Sequence, residues 1–579
     1  MINVKIYVKQ AAKGRSLLQP GLQEDNAMKT GIRKRAGRLL CAMLALLCAL
    51  SACSSPSAGQ ESENQSPSEE QTPANCLVVV EDEADTVDFQ RTTTNYTVAQ
   101  NVFDRLVEME NNADGEVEIL PSLAQSWEIS DDRRSYTFHL RPGVTFSNGS
   151  PLTASDVGYT LVRLLTHPES CNQDIAEGIL GAVALERGEA ETLEGFKPLN
   201  ELDFVITLEE PFEAFLACLT MPGASILDQE TTEAAGDDFG MDAEHTIGTG
   251  PFLLSEWTRG EGMTFVANQD CWSGAPACEG VELLFLKEAE AVKLMFDEGK
   301  LDILDLDDLS GAAEFYFHGD IYQDRLQQVQ QIGTTYIALN ENVEPLNDVR
   351  VRKALQMALD REVLLDAVYS GRGKVENGIF PHGLNGFNPD LPDIPYDPEQ
   401  AKELLREAGY EDGFELTISM RNTSTPLYVT LSELAAGMWE KIGVKAQVSV
   451  LSESDFMKAR KAGELACYAA TWIADYNDPD NFIYTFFGSW DNTVFRSLCY
   501  PNEEVMERVR QARVIPDPEQ RLKEYQELER IIVQEDAAWV PLFSRLRYYV
   551  TSQRLEGFRA SWNGSVKNNY RHMSVKTEE

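Results

Sequence analysis

The sequence predicts an α/β protein of mixed sheets flanked by helices, and three observations carry that reading. The chain has 579 residues, enough for three or four domains at roughly 100–200 residues each, so its core needs no disulfide or metal staple. Its composition, 43% hydrophobic and 25% charged, is that of a globular protein and excludes collagen-like, coiled-coil and wholly disordered chains. Strand and helix periodicities then alternate along the body, most clearly between Gly413 and Gly443.

An export signal precedes that body. Residues 1–27 add nothing a signal needs, so Met28 is read as the initiator. A basic stretch (Lys29, Arg33, Lys34, Arg35, Arg38) leads into an apolar run from Leu39 to Ala52. The run is too short for a bilayer core of about 30 Å, which takes about 20 residues, and residues 1–52 therefore read as a signal peptide. Leu50-Ser51-Ala52-Cys53 resembles the bacterial lipobox, in which cleavage exposes a cysteine that takes the lipid; an ordinary small-residue cleavage site is the alternative. Residues 54–75 hold Ser, Pro, Glu and Gln but no aliphatic side chain larger than Ala, can bury nothing, and are expected to stay disordered. Residues 53–75 thus read as a lipidated cysteine and its tether, with acylation holding the body at the membrane surface.

The charge balance, 50 Lys plus Arg against 94 Asp plus Glu, repels phosphate backbones and excludes nucleic acid as a partner. Removing the leader, with its nine basic and two acidic residues, makes the body more acidic still. Cys41 and Cys48 leave with the signal and Cys53 takes the lipid, so seven cysteines remain. Cys271 and Cys278 are close enough for a local disulfide, with two free thiols as the alternative, and no spacing matches a zinc site.

Within the body, Phe414, Leu416, Ile418 and Met420 alternate as in a strand. Leu427, Leu431, Leu434, Ala435, Met438, Trp439 and Ile442 come next at helical spacing, Gly443 closes the helix, and Val444 to Val450 alternate again. Strand, helix, strand at this spacing makes a parallel unit. Asp397-Pro398-Glu399-Gln400 and Asp517-Pro518-Glu519-Gln520 each supply an N-cap, Pro at the first helical position and a capping-box Gln. One further helix is read from Asp348 to about Ser370, and a further strand from Ala466 to Thr471.

Enzyme signatures are missing: there is no G-x-S-x-G elbow, Walker loop, H-E-x-x-H or G-x-G-x-x-G after a strand. The six His are scattered, so no metal is called for and no cofactor is implied. The acidic stretches 81–85 and 301–309 could hold Ca²⁺ but lack the central Gly of an EF-hand loop, and solvated turns are the alternative.

In open α/β sheets ligands bind beyond the carboxyl ends of the strands, which selects the loops 421–426 and 472–481. There Arg421 could fork onto a carboxylate or point at water. Asp475 could accept from an ammonium group or close an Asx-turn before Asp478-Pro479, and Trp472 and Tyr476 would offer apolar walls or core packing.

Seven collinear blocks then carry a family resemblance: 123–157, IGTGPF (247–252), ANQDCW (267–272), TTYIALN (334–340), 348–361, YDPEQAKELLREAGY (396–410) and WIADYNDPDNF (472–482). From about Leu77 to Tyr549 the chain resembles the extracellular solute-binding proteins, family 5, the oligopeptide and dipeptide binders of ABC importers. The resemblance implies a two-lobed periplasmic-binding-protein-like clamp of type II with an extra third domain. Lobe I would comprise 76–103, 229–333 and 546–579, the extra domain 104–228, and lobe II 334–545. It also implies a non-enzymatic, monomeric lipoprotein that captures a short peptide and hands it to permease subunits served by cytoplasmic ATPases.

By the same resemblance Asp475 holds the ligand's α-ammonium, Trp472 lines the first pocket, backbone from 471 to 475, Ala474 included, pairs with the peptide, and Thr93 contributes from the loop 91–95. A carboxylate-holding Arg of dipeptide binders aligns with Asn422, one residue from Arg421. Cys271 stands where an aromatic is usual before Trp272, and Cys499 where Asn is more common. Relatives carrying nickel chelates, haem, oligosaccharides or opines leave the cargo open, as does a sensor of peptide signals. A secreted hydrolase with a carboxylate pair would need spacing that the acids do not show.

Overall fold

The computed structural model describes residues 75–576, apart from 94, 112–116, 320 and 565–568. The signal peptide, Cys53 and the tether lie outside the described residues.

One sheet of four strands runs in the order Cys76–Val80, Gly280–Leu284, Gly262–Ala267, Phe252–Thr258, with the first pair parallel and the rest antiparallel. Period-two alternation divides its faces. Leu77, Val79, Val281 and Leu283 pack with Phe252, Phe265 and helix α1 (Thr97–Val102), whereas Val78 turns toward Val292 and Phe296 of a neighbouring helix.

A second four-stranded sheet is wholly antiparallel, in the order Ala124–Ile129, Ser135–Leu140, Asp203–Thr207, Phe196–Pro198. Its apolar face, with Tyr136, Phe138, Phe204 and Ile206, covers Val157, Leu161, Leu164 and Leu165 of the helix Ala154–Thr166. Thr153 starts that helix with a capping box completed by Asp156.

The largest sheet has eight strands, and its path is Ile303–Asp305, β5, β1, β4, β2, β3. These are β1 (Gly333–Leu339), β2 (Glu415–Arg421), β3 (Lys445–Leu451), β4 (Cys467–Ile473) and β5 (Trp539–Thr551). The expected parallel unit is present: β2 and β3 pair in parallel from Glu415↔Lys445 to Arg421↔Leu451, joined by helix α2 (Pro426–Glu440). Gly413 and Gly443 bracket it for a steric reason, since a Cβ on Gly413, at φ +75°, would lie 1.7 Å from the Gly443 carbonyl oxygen. Helices α3 (Asp480–Phe487), α4 (Glu503–Arg513) and α5 (Pro518–Arg530) come after β4, and α5 starts on the Asp517 cap anticipated for it.

Strand β5 joins two cores. At its start Trp539 stacks on Tyr336 of β1, ring centroids 3.9 Å apart. At its end Tyr549 packs with Phe252 and Phe265, and the strand there pairs with Leu326–Gln330 and Ile303–Asp305. The chain therefore passes twice between the cores, near Gln331 and near Arg545, whose backbones share a hydrogen bond of 3.1 Å. A two-lobed α/β clamp results.

Three expectations need correction. The single helix read from Asp348 to Ser370 is two, Val349–Met357 and Arg361–Tyr369, because Asp360 caps the second through the Val363 N–H. Cys271 and Cys278 are not joined and carry free thiols. Cys271 Sγ lies 3.3 Å from Ser273 Oγ, whereas Cys278 sits among Leu77 and Phe265, where burial, aided by Cys76, pushes its thiol up to about 12. Within 301–309, Asp302, Asp305 and Asp307 are partners of arginines on or just after β5: Asp302 pairs with Arg554 at 2.7 Å, Asp305 with Arg547, and Asp307 with Arg545 at 3.1 Å.

Candidate functional site

Strand β4 pairs antiparallel with β1 along its whole length and leaves the sheet after Ile473. The Ala474 N–H then donates to Ile332 O at 2.8 Å, and its carbonyl accepts from Asn563 Nδ2 at 3.2 Å. Side chains set the turn that connects Ala474 to α3. Asp478 accepts from the Asp480 N–H at 2.9 Å and so begins α3. Arg521 of α5 clamps Asp478 through two bonds of 2.7 Å. Asn481, in the first turn of α3, reaches back to Asp475: its Nδ2 donates to Asp475 Oδ2 at 3.1 Å, and its Oδ1 accepts from the Asp475 N–H at 3.0 Å.

Asp475 opens on a cavity of about 1280 Å³ whose wall also includes Ile473, Ala474, Thr93, Tyr96 and Arg105. Its side chain keeps open surface on this cavity yet is ringed by protein. Burial raises its carboxyl to about 6; the Asn481 bond opposes that rise, the Asp174 charge adds to it, and Arg496 works against it. Opposite stands the loop before α1. Tyr96 Oη donates to Thr92 O at 2.8 Å and to Asn172 Oδ1 at 3.2 Å, and Asn172 Nδ2 holds Phe89 O and Thr92 O. Burial, and after it the Asp475 charge, raise the Tyr96 hydroxyl. An anionic carboxylate facing a rigid polar loop across a roomy cleft is suited to hold a cation-bearing small ligand.

The residues expected here divide into two groups. Asp475, Ala474 and Thr93 meet at the cavity. Trp472 stands behind Asp475: its Nε1 donates to Asn481 Oδ1 at 3.2 Å, its ring meets Phe486 edge-on, and the Arg496 guanidinium lies 4.6 Å from it. Tyr476 turns away and is buried with Phe212 and Phe215 under the second sheet, its Oη donating to Asp480. Arg421 does not reach the cavity lining, because Glu453 captures it at 3.1 Å on the outer surface. Asn422 is likewise used locally, its Oδ1 accepting from the Glu453 N–H at 3.1 Å.

Sequence reasoning missed Asn481, Tyr96, Asn172 and Asn563. Asn481 lies inside the quoted stretch 472–482 and was accessible from its place in the first turn of a helix. The other three arrive from distant segments and left no local signal. Among the described residues no cluster of His, Cys, Asp and Glu could hold a metal ion, and no helix is long and apolar enough to cross a membrane.

The fold and the cleft define a solute-binding protein of the clamp type. The family model described as "Bacterial extracellular solute-binding proteins, family 5 Middle" matches residues 118–493, and the chain belongs to that family. It is 30% identical over 478 residues to "Heme-binding protein A" of Haemophilus influenzae, covering 80% of this chain and 86% of that one. To the "Dipeptide-binding protein" of Escherichia coli it is 28% identical over 459 residues, 76% and 82% of the two chains. Among solved structures, HbpA2 from Haemophilus parasuis matches with a TM-score of 0.70 at 29% identity, covering 87% of this chain and all of that one. The Escherichia coli murein tripeptide binding protein MppA matches with a TM-score of 0.73 at 24% identity, over 87% and 99% of the chains, and speaks for the fold alone.

Proposed function

We propose that this protein is the extracytoplasmic substrate-binding lipoprotein of an ABC importer, anchored through Cys53, which captures short peptides between its lobes and delivers them to the permease. One observation carries the reading: Asp475, held from two sides by Asn481, presents its carboxylate at the cavity between the end of β4 and the loop before α1. That is the arrangement an α-ammonium group requires, since a charged acceptor with a fixed orientation pairs strongly inside a cleft. The polar walls of the cavity supply further hydrogen bonds that tolerate varied side chains.

A relative supports the reading from outside the chain, being named for dipeptides, while another is named for haem. Ligand contacts with both walls favour closure; moving a clamp from 1% to 99% closed takes about 5.5 kcal/mol of differential affinity.

Two measurements test the proposal. Native mass spectrometry of the purified protein should find a co-purifying peptide; a haem mass with its visible absorption band would replace peptide by haem as the cargo. In calorimetry, Asp475→Ala should lower peptide affinity more than tenfold with the fold intact, and unchanged binding would remove Asp475 from the site.

A further inference from the structure

Three residues past α1, Arg105 borders the same cavity as Asp475 and is only 4% exposed. Its Nε and Nη1 are buried and have no hydrogen-bond partner among the described residues. Its acidic contact, Glu108, stands 3.5 Å from Nη2, at the outer limit of a hydrogen bond, and Glu108 already accepts from Ser122 Oγ at 3.2 Å. The adjacent Asp104 is fully occupied by Trp272 Nε1, Thr249 Oγ1 and Arg571 Nη2. Of the other arginines on the cavity, Arg91 pairs with Glu169, Arg545 with Asp307 and Gln331, and Arg547 with Asp305, whereas Arg559 is exposed to water.

A guanidinium taken out of water with its donors unmet destabilises a protein unless a partner arrives. The partner whose geometry matches is a carboxylate, which can take two parallel N–H bonds from the fork. We propose that Arg105 receives the carboxylate of the bound ligand, so that Asp475 and Arg105 together read the two ends of a zwitterionic peptide.

The ligand class is a short peptide whose amino and carboxyl ends are both free, one for each charged group.

This inference rests on the peptide reading above, and its test separates the two. Calorimetry on the protein lacking its signal peptide would use trialanine, trialanine amide and N-acetyltrialanine against the wild type and Arg105→Gln, with melting curves to verify folding. The wild type should bind the amide at least tenfold more weakly than the acid. Arg105→Gln should weaken trialanine at least tenfold and erase the acid–amide difference, while both proteins still reject the acetylated form. Equal binding of acid and amide by the wild type would overturn the role of Arg105 and leave the peptide reading standing, and so would an equal loss for both ligands in the variant. If Arg105→Gln does not fold, the wild-type acid–amide comparison decides alone. No binding of any of the three by the wild type would overturn both readings.

Discussion

Asn481 grips Asp475 from two sides, accepting from its backbone N–H at 3.0 Å and donating to its carboxylate at 3.1 Å. The same Oδ1 also accepts from Trp472 Nε1 at 3.2 Å, so a single amide fixes the turn, orients the carboxylate and ties both to the indole. A hydrogen bond to a charged group contributes about 1.5–3 kcal/mol. Asn481→Leu, alike in branching and without polar atoms, should therefore weaken binding of an ammonium-bearing ligand by about ten- to a hundredfold, at about 1.4 kcal/mol per decade. Titration calorimetry beside a melting curve checks this; full affinity in a folded Asn481→Leu protein would show that the amide only shapes the turn.

The raised carboxyl of Asp475 makes binding depend on pH in a stated direction. Burial and the Asp174 charge hold it at about 6, above its ordinary 3.8, against Asn481 and Arg496. The folded, empty protein thus keeps the proton more tightly than the unfolded chain, so this group's contribution to stability falls as pH rises from 3.8 to about 6. Binding of an ammonium ligand runs the other way, because it needs the carboxylate. Affinity should be flat above about pH 7 and fall up to tenfold per unit below about 6, with a proton released on binding near pH 6. Calorimetry in two buffers of different ionisation enthalpy measures that proton. Asp475→Asn should bind weakly at every pH, and a wild-type affinity constant from pH 7.5 to 5 would contradict the assignment.

How locally a feature is written decides whether it was legible in the sequence. The parallel unit from Glu415 to Leu451 shows because its alternation, its helical face and its closing Gly443 are contiguous. The break at Asp360 is hidden because apolar residues run on through Ala358 and Leu359, and a lone capping Asp looks like any surface acid until its bond to Val363 is seen. At the site, Asp475 is reachable from the end of a recognisable strand. Arg421 ends a recognisable strand too, but strand-end geometry does not say which loop opens on the cavity, and Glu453, at the start of the helix after β3, holds it outside. Tyr96, Asn172 and Asn563 are joined to Asp475 only by the tertiary fold.

Arg513 of α4 ties helix α3 to the core beneath the second sheet. Its guanidinium lies 4.1 Å from the ring of Phe212 beneath the second sheet and 3.7 Å from that of Tyr484 in α3, while Asp480 pairs with it at 3.0 Å. Arg133 adds a hydrogen bond across the same seam, to Pro516 O at 3.1 Å. We predict that this seam forms as the clamp closes and so stabilises the closed state, a cation–π pair of this kind contributing about 0.5–2 kcal/mol. Phe212→Leu should therefore lower ligand affinity by about two- to thirtyfold, mainly through faster release. Stopped-flow release rates, with small-angle scattering of the empty protein, check it; an unchanged release rate would mean that the seam does not hold the clamp shut.

Arg521 and Asp478 bear on both the fold and the site. Both side chains are nearly inaccessible, 4% and 10% exposed, and their two bonds are each 2.7 Å. Replacing the arginine by methionine leaves a buried carboxylate without its counter-charge, which costs about 3–5 kcal/mol. Arg521→Met should therefore unfold at clearly lower urea, and Arg521→Met with Asp478→Asn should recover part of that loss, since the second change removes the stranded charge. Binding should not recover with it. Asp478 sets the start of α3 through the Asp480 N–H, and α3 carries the Asn481 that holds Asp475. A neutral side chain at 478 loses the clamp from Arg521 and with it the register of that first turn. The double variant should accordingly regain stability while staying at least several-fold weaker for ligand; stability and affinity recovering together would show that the ion pair acts on the fold alone.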